Sequence, residues 1–487
     1  MMDGLKPYPA YKDSGVPWLG KVPEHWEVNP VKRYYAIQLG KMLQTTPTSP
    51  EDVEVPYLKA QHVQWFSVRT LDAPKMWASP RDIQQFGITA GDLLVCEGGE
   101  GGRCGIVKEI ADGFIIQNAL HRVRPRDHCR NDYLQYVMRV ISVTGWFEAL
   151  NNKATIAHFT GEKFGSLYIP IPLHDEQTAI VRFLDYKDRR IRRSIRAKQK
   201  LIKLLEEYRQ ALIHQAVTGK IDVRTGKPYP ACKDSGVPWL GKVPEHWEVR
   251  KLKYAATFLG GGTPSKANPS FWEGYIPWVS PKDMKTTVII DAEDHINDEA
   301  IAASATSIVG PGAVLLVVRS GILRRSIPVA INLVPVALNQ DMKALRPRGA
   351  LLMSSYLRAL IQGNQPRLID EWTKQGATVE SIEHQYLANS YIPLPPLPEQ
   401  TAIVEYLDAQ TAKLDAAIAA ARREIELLRE YRERLIADVV TGKVDVREVA
   451  AQLPEEPAEE EAGTEEEEPV AEELATVDSQ EEANGEE

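Results

Sequence analysis

Residues 8–28, YPAYKDSGVPWLGKVPEHWEV, return as residues 229–249, YPACKDSGVPWLGKVPEHWEV, with Tyr11 against Cys232 the single difference. Repetition of this quality limits the chain to folds built from two copies of one frame. The echo continues. IPIPLHDEQTAIVRFLD (169–185) matches IPLPPLPEQTAIVEYLD (392–408), and LLEEYRQALIHQAVTGKIDVR (204–224) matches LLREYRERLIADVVTGKVDVR (427–447). Between these blocks the halves diverge. Residues 29–168 and 250–391 share only traces: VPYLKAQHV (55–63) with IPWVSPKDM (276–284), HRVRPR (121–126) with KALRPR (343–348), and Lys153-Ala154-Thr155 with Gly376-Ala377-Thr378. One scaffold carrying two different surfaces suits a protein that must read two different things. A neutral duplication that drifted is the blander alternative, although drift alone does not easily leave flanks nearly identical and middles unlike, as recent recombination could.

Residues 174–218 and 397–441 are expected to be long helices. Each follows a proline-rich exit, carries acid in its first turn (Asp175; Pro398-Glu399) and stops at Thr-Gly-Lys, where Gly219 and Gly442 suit a left-handed cap. Apolar residues recur at a coiled-coil period in both. The expected interface comprises Leu184, Ile191, Ile195, Ile202, Leu205 and Leu212 with Leu407, Leu414, Ile418, Ile425, Leu428 and Leu435. The two seams are expected to pack on each other; packing of each on its own globular half is the alternative. Arg189, Arg190, Arg192, Arg193 and Arg196 crowd the first helix, as a solvated face or as contacts to phosphates.

The fold class expected from this pattern is α+β: two tandem mixed α/β domains joined by two long helices in an antiparallel coiled coil. The boundaries fall at 1–173, 174–220, 221–396, 397–447 and 448–487. The net charge of −9 conceals a division. Residues 1–450 hold 58 Lys and Arg against 51 Asp and Glu, whereas 451–487 hold 16 acidic residues and no basic one. The body is mildly basic, and the tail is expected to be disordered and solvated, or to compete with DNA for the body. No run of about 18 apolar residues marks a membrane span, and the first residues lack a secretory pattern. Cys96, Cys104, Cys129 and Cys232 show no C-x-x-C pair, so free thiols in a reducing cytoplasm are expected, with no metal.

No constellation for catalysis is evident. Asn268-Pro269-Ser270-Phe271 resembles the Asn-Pro-Pro-Phe of adenine methyltransferases, but polar residues precede it where a buried strand belongs. The glycine clusters at 99–102 and 260–262 do not continue into Gly-Lys-Ser/Thr. No Glu-x-Lys triplet of the common nuclease core occurs, and the ten histidines lack metal-ligand spacing.

The repeated YKDSGVPWLGKVPEHWEV block, LGGGTPSKANPSFWEGYIPWVSPKDM (259–284) and PLPPLPEQTAIVEYLD (394–408) resemble the specificity subunit of Type I restriction–modification enzymes, over about residues 8–447. The resemblance implies that each variable region is a target recognition domain for one half of a bipartite double-stranded DNA site. It implies that the helices fix the gap between half-sites. It implies two modification (methyltransferase) subunits and restriction (endonuclease/translocase) subunits as partners. The chain itself would hold no cofactor, with S-adenosylmethionine, ATP and Mg on the partners. Domains spaced by about one helical turn, roughly 34–36 Å, would meet the same face of a duplex. A coiled-coil adapter that reads no DNA is the competing reading.

Base reading requires polar side chains on protruding loops. The DNA-binding candidates are Lys59, Gln61 and His62 after VPYL, with Arg103 in the glycine loop. In the second half they are Thr263, Ser265 and Lys266, then Ser280 and Lys282 after IPWV, and Arg319, Arg324 and Arg325. Ordinary loop solubility and capping are the alternatives for each. Trp18, Trp26, Trp239 and Trp247, with His25 and His246, are expected to pack structurally.

Overall fold

The computed structural model describes residues 5–98, 100–126, 128–147, 159–373 and 380–454. Both traces Lys153–Thr155 and Gly376–Thr378 lie outside them, as does the tail from 455 onward. The chain divides into two compact units, Met1–Arg193 with Leu428–Glu487, and Ser194–Leu427.

The first unit is built on a four-stranded antiparallel sheet in the order Cys104–Ile106, Leu93–Cys96, Leu120–Pro125, Tyr35–Leu39. The central strand LLVC is buried at all four positions, as an unbroken apolar run demands. Against the sheet lies helix Asn131–Val143, whose Tyr133, Leu134, Val137, Met138 and Ile141 follow a helical period and are fully buried. A second sheet joins Ile115–Ile116, Val53–Leu58 and Lys75–Ala78.

The second unit repeats this plan. Its sheet runs Ala256–Gly260, Met342–Pro347, Val314–Val317, Val329–Asn332, with Val288–Ile289 added in parallel at the edge. Val314–Val317 is again an all-buried apolar strand. The companion sheet joins Asp294–Ile296, Ile276–Val279 and Ala337–Leu338.

The long helices occupy His174–Val217 and Leu397–Val440, 44 residues each. Gly219 and Gly442 adopt φ of 72° and 74° beyond their ends. A Cβ there would meet the ring of Pro244 or Pro23 at 2.3 Å, so both the left-handed backbone and the close approach require glycine. Within the first unit, Arg432 pairs with Asp188, and Arg139 with Glu433 at 2.7 Å. Within the second, Lys198 meets Glu424 (2.5 Å), Glu206 meets Arg422 (3.1 Å) and Arg209 meets Asp415 (2.7 Å). Rising numbers on one helix face falling numbers on the other, so the pairing is antiparallel.

The expected seam is buried at Leu184, Ile191, Ile195, Leu212, Leu407, Ile418, Ile425 and Leu435, but only half-buried at Ile202, Leu205, Leu414 and Leu428. Its ends behave differently from its middle. Leu184 and Leu435 belong to the globular core of the first unit, and Leu212 and Leu407 to that of the second. Both ways of burying an amphipathic stripe are therefore in use.

The repeated blocks meet at the helix starts. Glu176, 3% exposed, accepts a hydrogen bond from the Tyr8 hydroxyl at 2.7 Å and meets His25 Nε2 at 2.9 Å and Arg447 Nε at 3.8 Å. Glu399 has the same three partners: the Tyr229 hydroxyl, His246 at 2.8 Å and Arg224 at 3.3 Å. The neighbouring Gln177 and Gln400 donate to the carbonyls of Pro172 and Pro395, both at 2.9 Å. The invariance of EHW and EQTAI between the halves is thus a matter of anchoring. His25 and His246 hold a buried carboxylate, and Trp26 and Trp247 are fully buried while Trp18 and Trp239 are partly so.

One arginine of this device comes from within the second half, the other from the far end of the chain. Asp222 N donates to the Lys227 carbonyl at 2.8 Å, and Asp445 N donates to the Lys6 carbonyl at the same distance. The chain then continues as helix Arg447–Ala451, and Arg182 donates to the Leu453 carbonyl at 2.6 Å. The segment 448–487, expected to be disordered throughout, therefore begins with helical residues. Composition averaged over 40 residues hides the short apolar VAA that packs at its start, where Ala450 is buried.

Candidate nucleic-acid interface

Strand register gathers the loops. In the second unit, Gly260 pairs with Lys343, Val317 with Met342 and Val279 with Leu338. The connections after Gly260, Val279 and Val317, and the turn before Met342, therefore emerge at one end. Hydrogen bonds lock them together: Gly262 N to the Leu338 carbonyl (2.8 Å), Asn339 N to Val279 (2.9 Å) and Val318 N to Asp341 (2.8 Å). The first unit does the same through the pairs Leu39–His121, Cys96–Leu120 and Leu58–Ile116. There Gly40 N donates to Leu120 (3.0 Å), Gln117 N to Leu58 (3.0 Å) and Glu97 N to Ala119 (2.9 Å).

A glycine sits at each crossing. A Cβ on Gly40 would lie 2.3 Å from the Gln117 carbonyl oxygen, and one on Gly261 2.0 Å from that of Asn339. The GGG cluster at 260–262 therefore serves a close backbone approach. Its signal in the sequence was composition alone, and the lone Gly40 gave none.

The candidate side chains divide by what they already hold. Thr263, Ser265, Lys266, Arg319, Arg324 and Arg325 are all exposed on the gathered loops. Thr263 donates to Gln340, and Arg324 stands 3.7 Å from Glu380. Ser280 is 5% exposed, and its hydroxyl donates to Asp283 at 2.8 Å, capping a short turn. Lys282 reaches Asp294 at 3.0 Å and Glu293 at 3.4 Å.

In the first unit Gln61 is exposed and Lys59 half-buried. His62 is 5% exposed and accepts from Lys59 N through Nδ1 at 3.0 Å. Burial lowers its pKa from the usual value. Arg103 donates to Glu100 (3.1 Å) and to the Ala60 carbonyl (3.2 Å), bracing the glycine loop against the 59–62 turn. Ser280, His62 and Arg103 thus shape the loops, while the exposed group is available to a ligand.

Lys343, absent from the expected set, lies half-buried at the same end, and no acid pairs with it among the described residues. Burial lowers its pKa. Its counterpart by register is His121, fully buried, whose Nε2 meets the Phe159 carbonyl at 3.0 Å. The alignment of HRVRPR with KALRPR carried that correspondence.

A cleft of about 450 Å³ between the helices of the second unit is bordered by Glu206, Arg209, Asp415 and Arg422, which are engaged with one another. Among the described residues no group of His, Cys, Asp or Glu is placed to hold a metal ion, no disulfide joins the cysteines, and no helix is long and apolar enough to cross a membrane.

Comparison with known proteins gives a consistent answer. The family model for the Type I restriction modification DNA specificity domain matches residues 79–204 and 244–427, more than half of the chain. The Type I restriction enzyme EcoR124I/EcoR124II specificity subunit of Escherichia coli is 33% identical over 50% of this chain and 58% of its own length. The MjaIX specificity subunit of Methanocaldococcus jannaschii is 30% identical over 34% of this chain and 38% of its own. The chain thus spans less than two thirds of these two relatives, although it matches 96% of the putative MjaX specificity subunit of the same archaeon at 22% identity over 88% of itself. Among solved structures, a chain from a type I R-M system study superposes with TM-score 0.66 (18% identity, 86% of this chain, 98% of that one). The HsdS subunit from Thermoanaerobacter tengcongensis gives 0.52 (19% identity, 87% and 98%). At these identities the likeness concerns the fold.

Proposed function

The chain belongs to the Type I restriction modification DNA specificity family, and from that membership we propose that it recognises a bipartite DNA target, one half-site per unit, without performing chemistry itself. The observation that carries the reading is the pair of matching loop clusters: the same strand register and the same glycine crossing present different exposed side chains in each unit. Direct readout needs this combination, a rigid frame with exchangeable polar tips. In the second unit Lys266, Arg319 and Arg325 supply charge for phosphates or guanine edges, with Thr263 and Ser265 as small hydrogen-bonding groups.

The partners in this reading are two methyltransferase subunits and, for cleavage, endonuclease/translocase subunits, working in the cytoplasm. S-adenosylmethionine, ATP and Mg belong to those partners. The reading is tested by sequencing methylated bases in the host with and without this gene. Loss of one bipartite adenine motif is expected. Exchange of residues 29–168 for another version should then alter one half-site only. A methylome unchanged by deletion would leave the adapter reading in its place.

A further inference from the structure

In the first unit the loop leaving the sheet end is pinned at two points three residues apart. At Lys41 the backbone N donates to the Ile116 carbonyl at 2.8 Å, its carbonyl accepts from Asn118 N at 2.9 Å, and its ammonium reaches Asp82 at 2.9 Å. At Gln44 the carbonyl accepts from Trp77 N at 3.0 Å, and the side-chain amide donates to Asp52 at 2.9 Å. Met42 and Leu43 project between these anchors, 75% and 49% exposed, with Leu39 at 40% on the strand before them. A single exposed apolar side chain on a soluble protein is ordinary. Three together on a pinned backbone, at the end where the loops converge, form a preorganised apolar edge.

Counted from the glycine crossing, Met42 occupies the place that Thr263 takes after Gly261 in the second unit. The two clusters therefore differ in chemistry at one equivalent point: a hydroxyl in one, a thioether backed by Leu43 in the other.

We propose that Met42 and Leu43 read the C5-methyl group of a thymine in the half-site bound by the first unit. This deepens the DNA-recognition reading above and rests on it. The major-groove edge of a base pair offers one apolar feature, the thymine methyl, and apolar side chains are its partners. Methionine suits the task, because its unbranched thioether adapts to a convex group. Gln61, exposed on the adjoining connection, supplies a hydrogen-bonding neighbour.

The test uses the full chain in complex with its methyltransferase partner, on duplexes bearing the bipartite site defined by methylome sequencing. Exchange of residues 29–168 first assigns one half-site to the first unit. Each thymine of that half-site is then replaced by deoxyuridine, which lacks only the methyl. One replacement should weaken wild-type binding roughly fourfold, the value of burying one methyl-sized group. The double variant Met42→Ala/Leu43→Ala, and separately Met42→Thr, should bind the thymine and uracil duplexes equally while keeping the other half-site's discrimination. Three results would overturn the proposal: a half-site without thymine, indifference of the wild type to every replacement, or retained discrimination in the variants. A fluorescence rise from 2-aminopurine placed beside the thymine would also overturn it, in favour of a side chain wedged between bases. A wild-type complex that binds site-bearing and random duplex alike would instead sink the DNA-recognition reading itself.

Discussion

Tyr8 donates its hydroxyl hydrogen to Glu176 at 2.7 Å across 168 residues of sequence, and Tyr229 makes the same bond to Glu399 across 170. Each carboxylate lies in the first turn of a long helix, where the positive end of the helix dipole favours it. Burial, followed by the bonded carboxylate, raises the pKa of both phenols far above the usual value, so the hydroxyls remain donors. Removing one hydroxyl by Tyr8→Phe or Tyr229→Phe leaves the carboxylate with its histidine and arginine. Each change should cost about 1–2 kcal/mol. Urea titration followed by tryptophan fluorescence, with Trp26 and Trp247 beside the two sites, measures both.

The glycine crossings make a sharper prediction. Gly40→Ala and Gly261→Ala drive a methyl group into a backbone carbonyl, which has no side-chain torsion with which to yield. Each should destabilise its unit by about 1–3 kcal/mol, the usual cost of overpacking. Each should also degrade recognition of one half-site, read as methylation at near-cognate sites.

The helix pairing contains ion pairs of unequal worth. Asp188 accepts from Arg192 at 2.7 Å and from Arg432, with both ends of the Asp188–Arg432 pair largely shielded. Burial alone would lower the Arg432 pKa, but the charge of Asp188 overrides it and raises the pKa. Arg209 and Asp415 are about half exposed. Double-mutant cycles should give a coupling above about 1 kcal/mol for Asp188–Arg432. For Arg209–Asp415 it should fall between about 0 and 1 kcal/mol and decline with salt.

Burial lowers the pKa of His62, His121 and His214 from the ordinary histidine value of 6.5. The folded state therefore prefers these rings neutral. As pH falls below 6.5 the unfolded chain takes up protons first, and stability is lost until the folded pKa values are passed. Unfolding midpoints should be level above about pH 7.5 and decline between about 6.5 and 5. His121→Gln should flatten that slope, and the slope is the readout, whatever happens to the midpoint.

Arg319→Ala and Lys266→Ala probe the charged side of the second cluster. If these residues neutralise phosphates, each substitution should weaken binding evenly across sequences and reduce the salt slope of log K by about one. A change confined to one base position would make the residue a base reader instead.

Much of the architecture is legible in the chain because it rests on periodic signals. The helices His174–Val217 and Leu397–Val440 end within a residue of where the Thr-Gly-Lys punctuation puts them. The strands LLVC and VLLV are recognisable as unbroken apolar runs. The site is less legible, because the same residue types serve as readers and as fasteners. Ser280 and His62 look like loop-tip polar groups, yet their side chains close turns. Arg103 reads as a loop cation, and the sequence gives no sign that it also braces a carbonyl 43 residues away. Lys343 sits in an ordinary strand pattern, and only the pairing with Gly260 brings it to the loop end. Met42 gives no signal in the sequence, because exposed apolar loop residues carry no motif. The backbone partners that pin Lys41 and Gln44 on either side of it, Ile116, Asn118 and Trp77, lie more than 30 residues away, out of reach of any local pattern.

The partition of the chain also bears on biosynthesis. The second unit, Ser194–Leu427, is one uninterrupted stretch, so every residue it needs has been synthesised before residue 428 is added. The first unit, although begun first, waits for Leu435, Val439, Asp445 and Arg447 to close its core and reach Glu176. The unit translated earlier is therefore completed later. While residues 194–427 are being added, Glu176 still lacks its Arg447 partner and the core of the first unit still lacks Leu435 and Val439.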